Sequence, residues 1–379
     1  MKLLLTLALL IVSGTRVLAA DTLEEIRKKA ELGDPNAQSH LGAIYLLGIE
    51  APKDLAEAQK WLLKAAEQGD AVAEFSLGDR YVCGDSVPKD IAKAAEWYLR
   101  SADRGNGAAQ YNMGVMYEHG WGVTQDMPGA VKWYRLTVDK GHFKAKYALG
   151  TLLHGGKGAP QDFVSARKLF TEVAFDQPSL LDLDKDTRRD AAFALAVMID
   201  RGEGGPKNDK EATHWFLKAA ELGHRRSKVE AARRYSKGIG IDRDMQEALK
   251  WYRAAAVEGE VAAAFILANR YHRGEGGIPQ DYVEAHKWYN LLLAMNVREA
   301  KSFLSTISGE MTGAQIAEAQ RRASDEWGKM SESVRSDMPE LSLKDMLKRH
   351  PFPSEFPSNS HLTVIGCHGV STGQPSTGR

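Results

Sequence analysis

The chain has 379 residues, of which 43% are hydrophobic, so it is long enough to bury a large apolar core. Its 50 lysine and arginine residues are balanced by 50 aspartate and glutamate residues. This balance argues against bulk attraction to nucleic acid, and we expect no nucleic-acid partner.

The first element in chain order is an apolar N-terminal segment with the features of a secretory signal. Lys2 precedes an apolar run over residues 3–12, which is too short for a membrane span and is followed by small residues. Cleavage after Ala19 places Val17 and Ala19 at the positions that require small side chains. The sequence therefore predicts a signal peptide over residues 1–19 and an exported protein, periplasmic or secreted, without a transmembrane span after cleavage. An uncleaved anchor is the alternative.

The rest of the chain is built on one pattern, two short helices joined by a glycine-rich turn. In residues 107–141, apolar residues recur one helical turn apart on both sides of Gly120 and Gly122, and Asp126 is placed to cap the second helix. A bulky second-helix residue recurs seven times, at intervals of 36 or 37 residues and one of 46, at Trp61, Trp97, Trp133, Leu169, Trp215, Trp251 and Trp288. A fixed period of this length indicates a solenoid of stacked helical hairpins.

These hairpins resemble the Sel-one-like repeat, a relative of the tetratricopeptide repeat. The resemblance is carried by Ala37, Leu41, Gly42, Tyr45 and Gly48 in a first helix, and by Asp90, Ala94, Trp97, Tyr98, Ala102 and Gly105 in a second. It implies an all-α fold, a right-handed α-solenoid of about seven helix-turn-helix repeats with capping helices at both ends. It also implies a protein–protein scaffold in envelope signalling, assembly or host interaction, with the first helices on the concave side.

Domain boundaries are predicted from where the repeat phase begins and ends. Residues 20–33 are expected to form an N-terminal capping helix, residues 34–296 the seven repeats, and residues 297–327 the C-terminal capping helices. The fourth repeat carries an insertion near residues 176–187, which contains a proline and alternating acidic residues. In residues 328–379 the periodicity stops and proline and serine accumulate, so this tail is predicted to be disordered.

Two cysteines, Cys83 and Cys367, are the only candidates for a disulfide. An exported chain can oxidise them, but Cys367 lies in the predicted tail, so the sequence leaves their pairing open.

Motifs that carry catalysis or metal binding are incomplete in this chain. The glycine-rich turn at residues 155–158 lacks the preceding strand and the G-K-[ST] ending of a phosphate loop. Alternating aspartates over residues 182–186 resemble the start of a calcium loop, but Thr187 and Phe193 replace its glycine and its glutamate. The sequence therefore predicts a non-enzymatic protein with no catalytic residue, no metal site and no cofactor.

The histidines are interpreted as structural. His142 and His224 occupy corresponding positions after helix-ending glycines, where a cation favours the helix C-terminus. No two histidines have the spacing of metal ligands.

Polar residues at the first-helix positions that the repeat leaves variable form the candidate binding site. They are Asp79, Glu118, Arg201, Arg233, Arg234, Lys237, Asn269, Arg270 and Arg273. Bases concentrate in the last three repeats, which predicts a docking stripe for another protein, an acidic peptide segment or an anionic glycan. The alternatives are an ordinary solvated face, an envelope polysaccharide-handling protein and, least favoured, a cell-wall-acting enzyme.

Overall fold

The structure, a computed structural model, describes residues 21–175, residues 185–336 and Phe356. Within these ranges every regular element is an α-helix and no strand occurs, which confirms the predicted all-α class. The predicted signal peptide and most of both the predicted insertion and the predicted tail lie outside the described residues.

The helices follow one another as the repeat period predicts. They are α1 (Leu23–Glu31), α2 (Pro35–Leu47), α3 (Leu55–Glu67), α4 (Ala71–Cys83), α5 (Ile91–Asp103), α6 (Gly107–His119), α7 (Met127–Val138), α8 (Phe143–Gly155), α9 (Phe163–Phe175), α10 (Lys185–Arg201), α11 (Asp209–Glu221), α12 (Arg225–Lys237), α13 (Met245–Val257), α14 (Val261–Arg273), α15 (Tyr282–Ala294), α16 (Ala300–Ser308), α17 (Gly313–Lys329) and α18 (Glu332–Ser336). From α2 to α15, even-numbered helices are the first helices of hairpins and odd-numbered helices are the second.

The chain divides into two compact units. Unit one contains the helices up to Gln161, and unit two spans Asp162–Phe356. In each unit, helices pack mainly on their neighbours in sequence, such as α4 on α5 and α5 on α6 in unit one, or α10 on α11 and α11 on α12 in unit two. Packing between successive hairpins is what defines an α-solenoid.

The turn that joins the two helices of a hairpin has a recurring local chemistry. First helices end at a glycine in the left-handed conformation, for example Gly120 with φ 71° and Gly238 with φ 70°. Second helices begin at an Asp or Asn whose side chain accepts a backbone N–H, as at Asp90, although Asp126 makes no such hydrogen bond. The predicted turn glycines are therefore confirmed, whereas the predicted cap at Asp126 lacks its bond.

His142 and His224 have a different role from the predicted one. Each is the residue that precedes a first helix, and its Nδ1 accepts the backbone N–H of Ala145 or Ser227. In repeats one to three this position is held by a side chain that accepts in the same way, such as Asn106. Because an acceptor nitrogen must be unprotonated, these are neutral caps at helix N-termini and not cations at C-termini.

In repeats two and three the ring that follows the predicted bulky position is buried more deeply than the bulky residue itself. Tyr98 and Tyr134 are fully buried, whereas Trp97 and Trp133 remain partly exposed. The first helix of the same hairpin approaches these tyrosines closely, since a Cβ added to Gly114 would lie 2.5 Å from a ring carbon of Tyr134. Gly114, which is the equivalent of Gly42 in the first repeat, is thus required by a ring that packs directly on the backbone.

A second glycine of the turn joins neighbouring hairpins. Gly122, with φ 68°, lies so close to the preceding hairpin that an added Cβ would be 2.3 Å from the carbonyl oxygen of Ile91. Gly158, Gly204 and Gly240 make the same approach to residues 127, 163 and 209 within their own units. The backbones of successive hairpins therefore touch at this position.

We expect Gly122→Ala to lower the free energy of unfolding by about 2 to 3 kcal/mol, because alanine meets both a positive φ and a backbone carbonyl there. Chemical denaturation of the full chain measures the loss. Glu50 occupies the equivalent position of the first repeat with φ 65° and is exposed, so Glu50→Gly is the matched control, with a change below about 1 kcal/mol. If Gly122→Ala and the parent unfolded with the same free energy, the close approach of Gly122 to the carbonyl oxygen of Ile91 would be contradicted.

Candidate functional site

The two acidic residues of the predicted stripe are buried in the repeat core. Asp79 accepts a hydrogen bond from the hydroxyl of Tyr98 at 2.7 Å, and Glu118 accepts one from the hydroxyl of Tyr134 at 2.7 Å. Burial raises the pKa of Tyr98, and the neighbouring Asp79 raises it further. Both carboxylates therefore serve the tyrosines of the second helix, and we correct their assignment from a docking surface to internal packing.

Asn269 follows the same rule in unit two. Its Oδ1 accepts from the hydroxyl of Tyr289 at 3.3 Å, and its Nδ2 donates to the carbonyl oxygen of Phe265 at 3.1 Å. A buried hydroxyl needs an acceptor, and the variable first-helix positions supply it. The sequence held a signal for this role, because a polar first-helix residue recurs in the hairpins that carry tyrosine after the bulky position.

Arg234 is fully buried between three helices of unit two. Its Nη2 donates to Asp200 of α10 at 2.6 Å, its Nη1 to Thr213 of α11 at 2.9 Å, and its Nε to Glu230 of α12 at 2.9 Å. The guanidinium also lies 4.7 Å from the ring centroid of Phe216. Because it is enclosed on all sides, Arg234 holds two hairpins together and is not available to a partner, contrary to the prediction.

Most of the remaining predicted cations lie at the surface of unit two beside acidic neighbours. Arg201 is exposed and lies 3.5 Å from Glu203, and Arg233 is half-buried and donates to Glu230 at 2.8 Å. The side chain of Arg273 is 65% exposed. Lys237, at the end of α12, is exposed as well.

Arg270 extends the cationic group from the sixth hairpin to the seventh. Burial is the main cause that raises the pKa of Tyr252, and the charges of Arg270 and Arg233 act to lower it. Arg270 is half-buried, and its Nε has no hydrogen-bond partner among the described residues. Arg233 and Arg270, which are 37 positions apart in the chain, therefore both influence the same tyrosine.

The tyrosines beside these cations offer little ring surface. Tyr252 and Tyr271 are 3% and 7% exposed, and Tyr289 is fully buried. These three tyrosines therefore present no exposed ring face on which a ligand could stack.

An open groove of about 490 Å³ lies elsewhere, in unit one. It runs along the second helix α7 and the turn after α8, and its lining includes Val131, Lys132, Arg135, Leu136 and Pro160. Because it lies on a second helix, the prediction, which considered first-helix positions, did not include it.

The described ranges contain no group of three or more His, Cys, Asp or Glu residues that could hold a metal ion. Among the same residues, no helix is both long and apolar enough to cross a membrane. Cys83, at the end of α4, is disulfide-bonded, and Cys367 lies outside the described residues.

Comparison with known proteins gives a consistent family match. The family model described as Sel1 repeat matches seven segments, at residues 35–70, 71–106, 107–142, 144–173, 189–224, 229–259 and 261–296. The crystal structure of a Sel1 repeat protein from Oxalobacter formigenes is 29% identical, with 62% of this chain and 91% of that chain covered and a TM-score of 0.52. The structure of c5321, a protective antigen of uropathogenic Escherichia coli strains with an SLR fold, is 25% identical over 84% of this chain and 82% of that chain, with a TM-score of 0.42.

Proposed function

Because this chain belongs to the Sel1 repeat family, whose members generally act as protein-interaction scaffolds, we propose that it is an exported, non-catalytic adaptor that binds an acidic segment of a partner protein. Export is proposed from residues 1–19, and the mass of the mature protein tests it, with Ala20 as the expected first residue. A mature protein that retains these residues would contradict cleavage.

The observation that carries the binding proposal is a cationic surface on the first helices of the last three repeats. We define this cationic surface by its members Arg201, Arg233, Lys237, Arg270 and Arg273. Nearby carboxylates such as Glu230 and Glu275 neutralise part of its charge. Exposed ion pairs contribute roughly 0–1 kcal/mol each, so an acidic segment gains affinity from several weak contacts and gains association rate from the field.

The proposed surface can be tested with a triple charge reversal, Arg233→Glu, Lys237→Glu and Arg273→Glu. The probe is a fluorescent glutamate-rich peptide, followed by anisotropy at low and high salt. We expect the parent to bind it and the variant to bind at least tenfold more weakly, with a flatter salt dependence, because three cations are replaced by anions.

A matched control reverses three exposed lysines of second helices in the same unit, Lys210, Lys218 and Lys250. It changes the net charge by the same amount and is expected to bind nearly as well as the parent. Equal weakening in both variants would show that total charge, and not this surface, governs binding. Tighter binding of a uronic-acid oligomer than of the peptide would favour the glycan alternative.

A further inference from the structure

Phe356 is packed like a core residue, although it belongs to the tail that the sequence predicted to be disordered. Its side chain is 7% exposed, within unit two. Its ring contacts the rings of Phe170 and Phe193 in nearly perpendicular orientations. The centroid distance and the interplanar angle are 5.5 Å and 86° for Phe170, and 6.4 Å and 82° for Phe193. These perpendicular arrangements are favoured by the quadrupoles of aromatic rings.

The two rings that receive Phe356 come from different hairpins. Phe170 lies on α9, the second helix of repeat four, and Phe193 lies on α10, the first helix of repeat five. Phe193 also packs against two other rings. The ring of His224 stacks on it with the centroids 4.0 Å apart, and the ring centroid of Phe216 lies 6.2 Å away. The surface that contacts Phe356, which we call the α9/α10 site, therefore consists of two aromatic rings, one of which is packed against further rings.

The sequence of this junction differs from that of the regular repeats. The interval between Leu169 and Trp215 is 46 residues, whereas the other intervals are 36 or 37. At the α5/α6 junction of unit one, Asn112 reaches the hydroxyl of Tyr98. The equivalent residues at the α9/α10 site are Ala194 and Phe170, which are smaller and lack the polar pair.

We propose that the α9/α10 site is a docking site for a phenylalanine carried on a proline-flanked segment, and that this chain's own Phe356 occupies it as an internal ligand. The sequence of residues 351–358 is PFPSEFPS, with Pro357 directly after Phe356. Proline fixes φ and disfavours the helical conformation of the residue before it, which reduces the entropy lost on docking. An outside segment of the same chemistry binds only by displacing the internal one.

The length of the connection sets how strongly the internal ligand competes. About 20 residues separate Ser336, the end of α18, from Phe356. Because Phe356 belongs to the same chain, its docking is intramolecular, and a free ligand must overcome its effective concentration to displace it. A free peptide with a micromolar dissociation constant is therefore expected to bind the parent at least tenfold more weakly than a chain whose site has been vacated.

The test uses the full chain and a fluorescent peptide of residues 350–359. We expect the peptide to bind the Phe356→Ala variant at least tenfold more tightly than the parent, as measured by anisotropy. Phe352→Ala, which removes the other phenylalanine of the same segment, is the matched control and is expected to behave like the parent. A peptide with alanine in place of Phe356 is expected not to bind.

Three outcomes would overturn the proposal. Absence of peptide binding to Phe356→Ala would exclude a docking site, and equal binding to the parent and the variant would exclude internal occupancy. A parent that dimerises in light scattering, while Phe356→Ala stays monomeric, would assign the contact to a second copy. If Phe356→Ala does not fold by circular dichroism, Phe356→Leu takes its place, because it keeps apolar volume and removes the ring.

The proposal does not depend on the cationic surface. The triple charge-reversal variant is expected to bind this peptide as the parent does, so failure at one site is distinguishable from failure at the other.

Discussion

Replacing Arg234 with alanine is expected to lower the free energy of unfolding by about 3 to 5 kcal/mol, which is the range for removing one partner of a buried ion pair. The guanidinium is fully buried and donates to Asp200, Thr213 and Glu230, on three different helices. Alanine leaves the acceptors without their donor and opens a cavity against Phe216. Denaturant unfolding of the full chain at neutral pH measures the difference.

Two further variants separate the possible causes of this loss. Arg273→Ala removes an arginine whose side chain is 65% exposed, and we expect a change below about 1 kcal/mol. Arg234→Lys keeps the charge but cannot donate in three directions, so an intermediate loss is expected. If Arg234→Ala were as stable as Arg273→Ala, Arg234 would not be the buried link between hairpins that its contacts indicate.

A loss of stability on mild acidification is the second large effect that we expect, and it comes from His142 and His224. Burial is the main cause that lowers the pKa of His142 from 6.5 to about 4, and Lys144 lowers it further. Burial also lowers the pKa of His224 to about 3, helped by Arg189, Arg226 and Arg225. Each ring is stacked as well, on Tyr111 at 4.7 Å or on Phe193 at 4.0 Å.

The direction of the effect follows from which state binds more protons. Below about pH 6.5 the unfolded chain protonates both histidines, whereas the folded chain keeps them neutral until pH approaches 4 or 3. Their contribution to stability is therefore complete above pH 6.5 and declines as the pH falls. Each histidine is expected to cost about 2 to 3 kcal/mol between pH 7.5 and pH 4.5.

Asparagine is the control that the chain itself supplies. Asn106 holds the same position before α6 and caps it through its side chain. The variant His142→Asn with His224→Asn should keep both caps and lose less stability than the parent between pH 7.5 and pH 4.5, in urea unfolding at each pH. An identical pH dependence of parent and variant would mean that the two histidines are not held neutral by the fold.

The repeat period predicted the parts of the fold that depend on local spacing. It predicted the hairpins, their glycine turns and the α-solenoid class, because helix periodicity and left-handed glycines are properties of short segments. It could not predict the fate of Asp79, Glu118 and Arg234. Whether a polar first-helix residue faces solvent or a buried tyrosine depends on the side chain opposite, which lies on another helix.

Phe356 was missed for a related reason. Nothing in its neighbourhood in sequence is periodic, and the rings that receive it, Phe170 and Phe193, are more than 160 positions earlier in the chain. The longer interval in repeat four was visible, but a longer interval alone does not identify what fills it. A prediction of disorder from composition applies to a segment as a whole, so it does not identify a single residue of that segment that packs against the core.

The close approach of Gly122 to the carbonyl of Ile91 has a consequence for how such an array can grow. The glycine lies in one hairpin and the carbonyl in the one before it, and the same pair recurs at Gly158, Gly204 and Gly240. Duplication of a whole period copies both halves of the contact, so an added hairpin meets its neighbours with the correct pair at each end. Insertion of one or two residues within the turn would instead place a side chain against the carbonyl. Gene duplication can therefore lengthen this protein in steps of one hairpin. Each added hairpin keeps the contact between the turn glycine and the carbonyl of the preceding hairpin, so no other residue has to change.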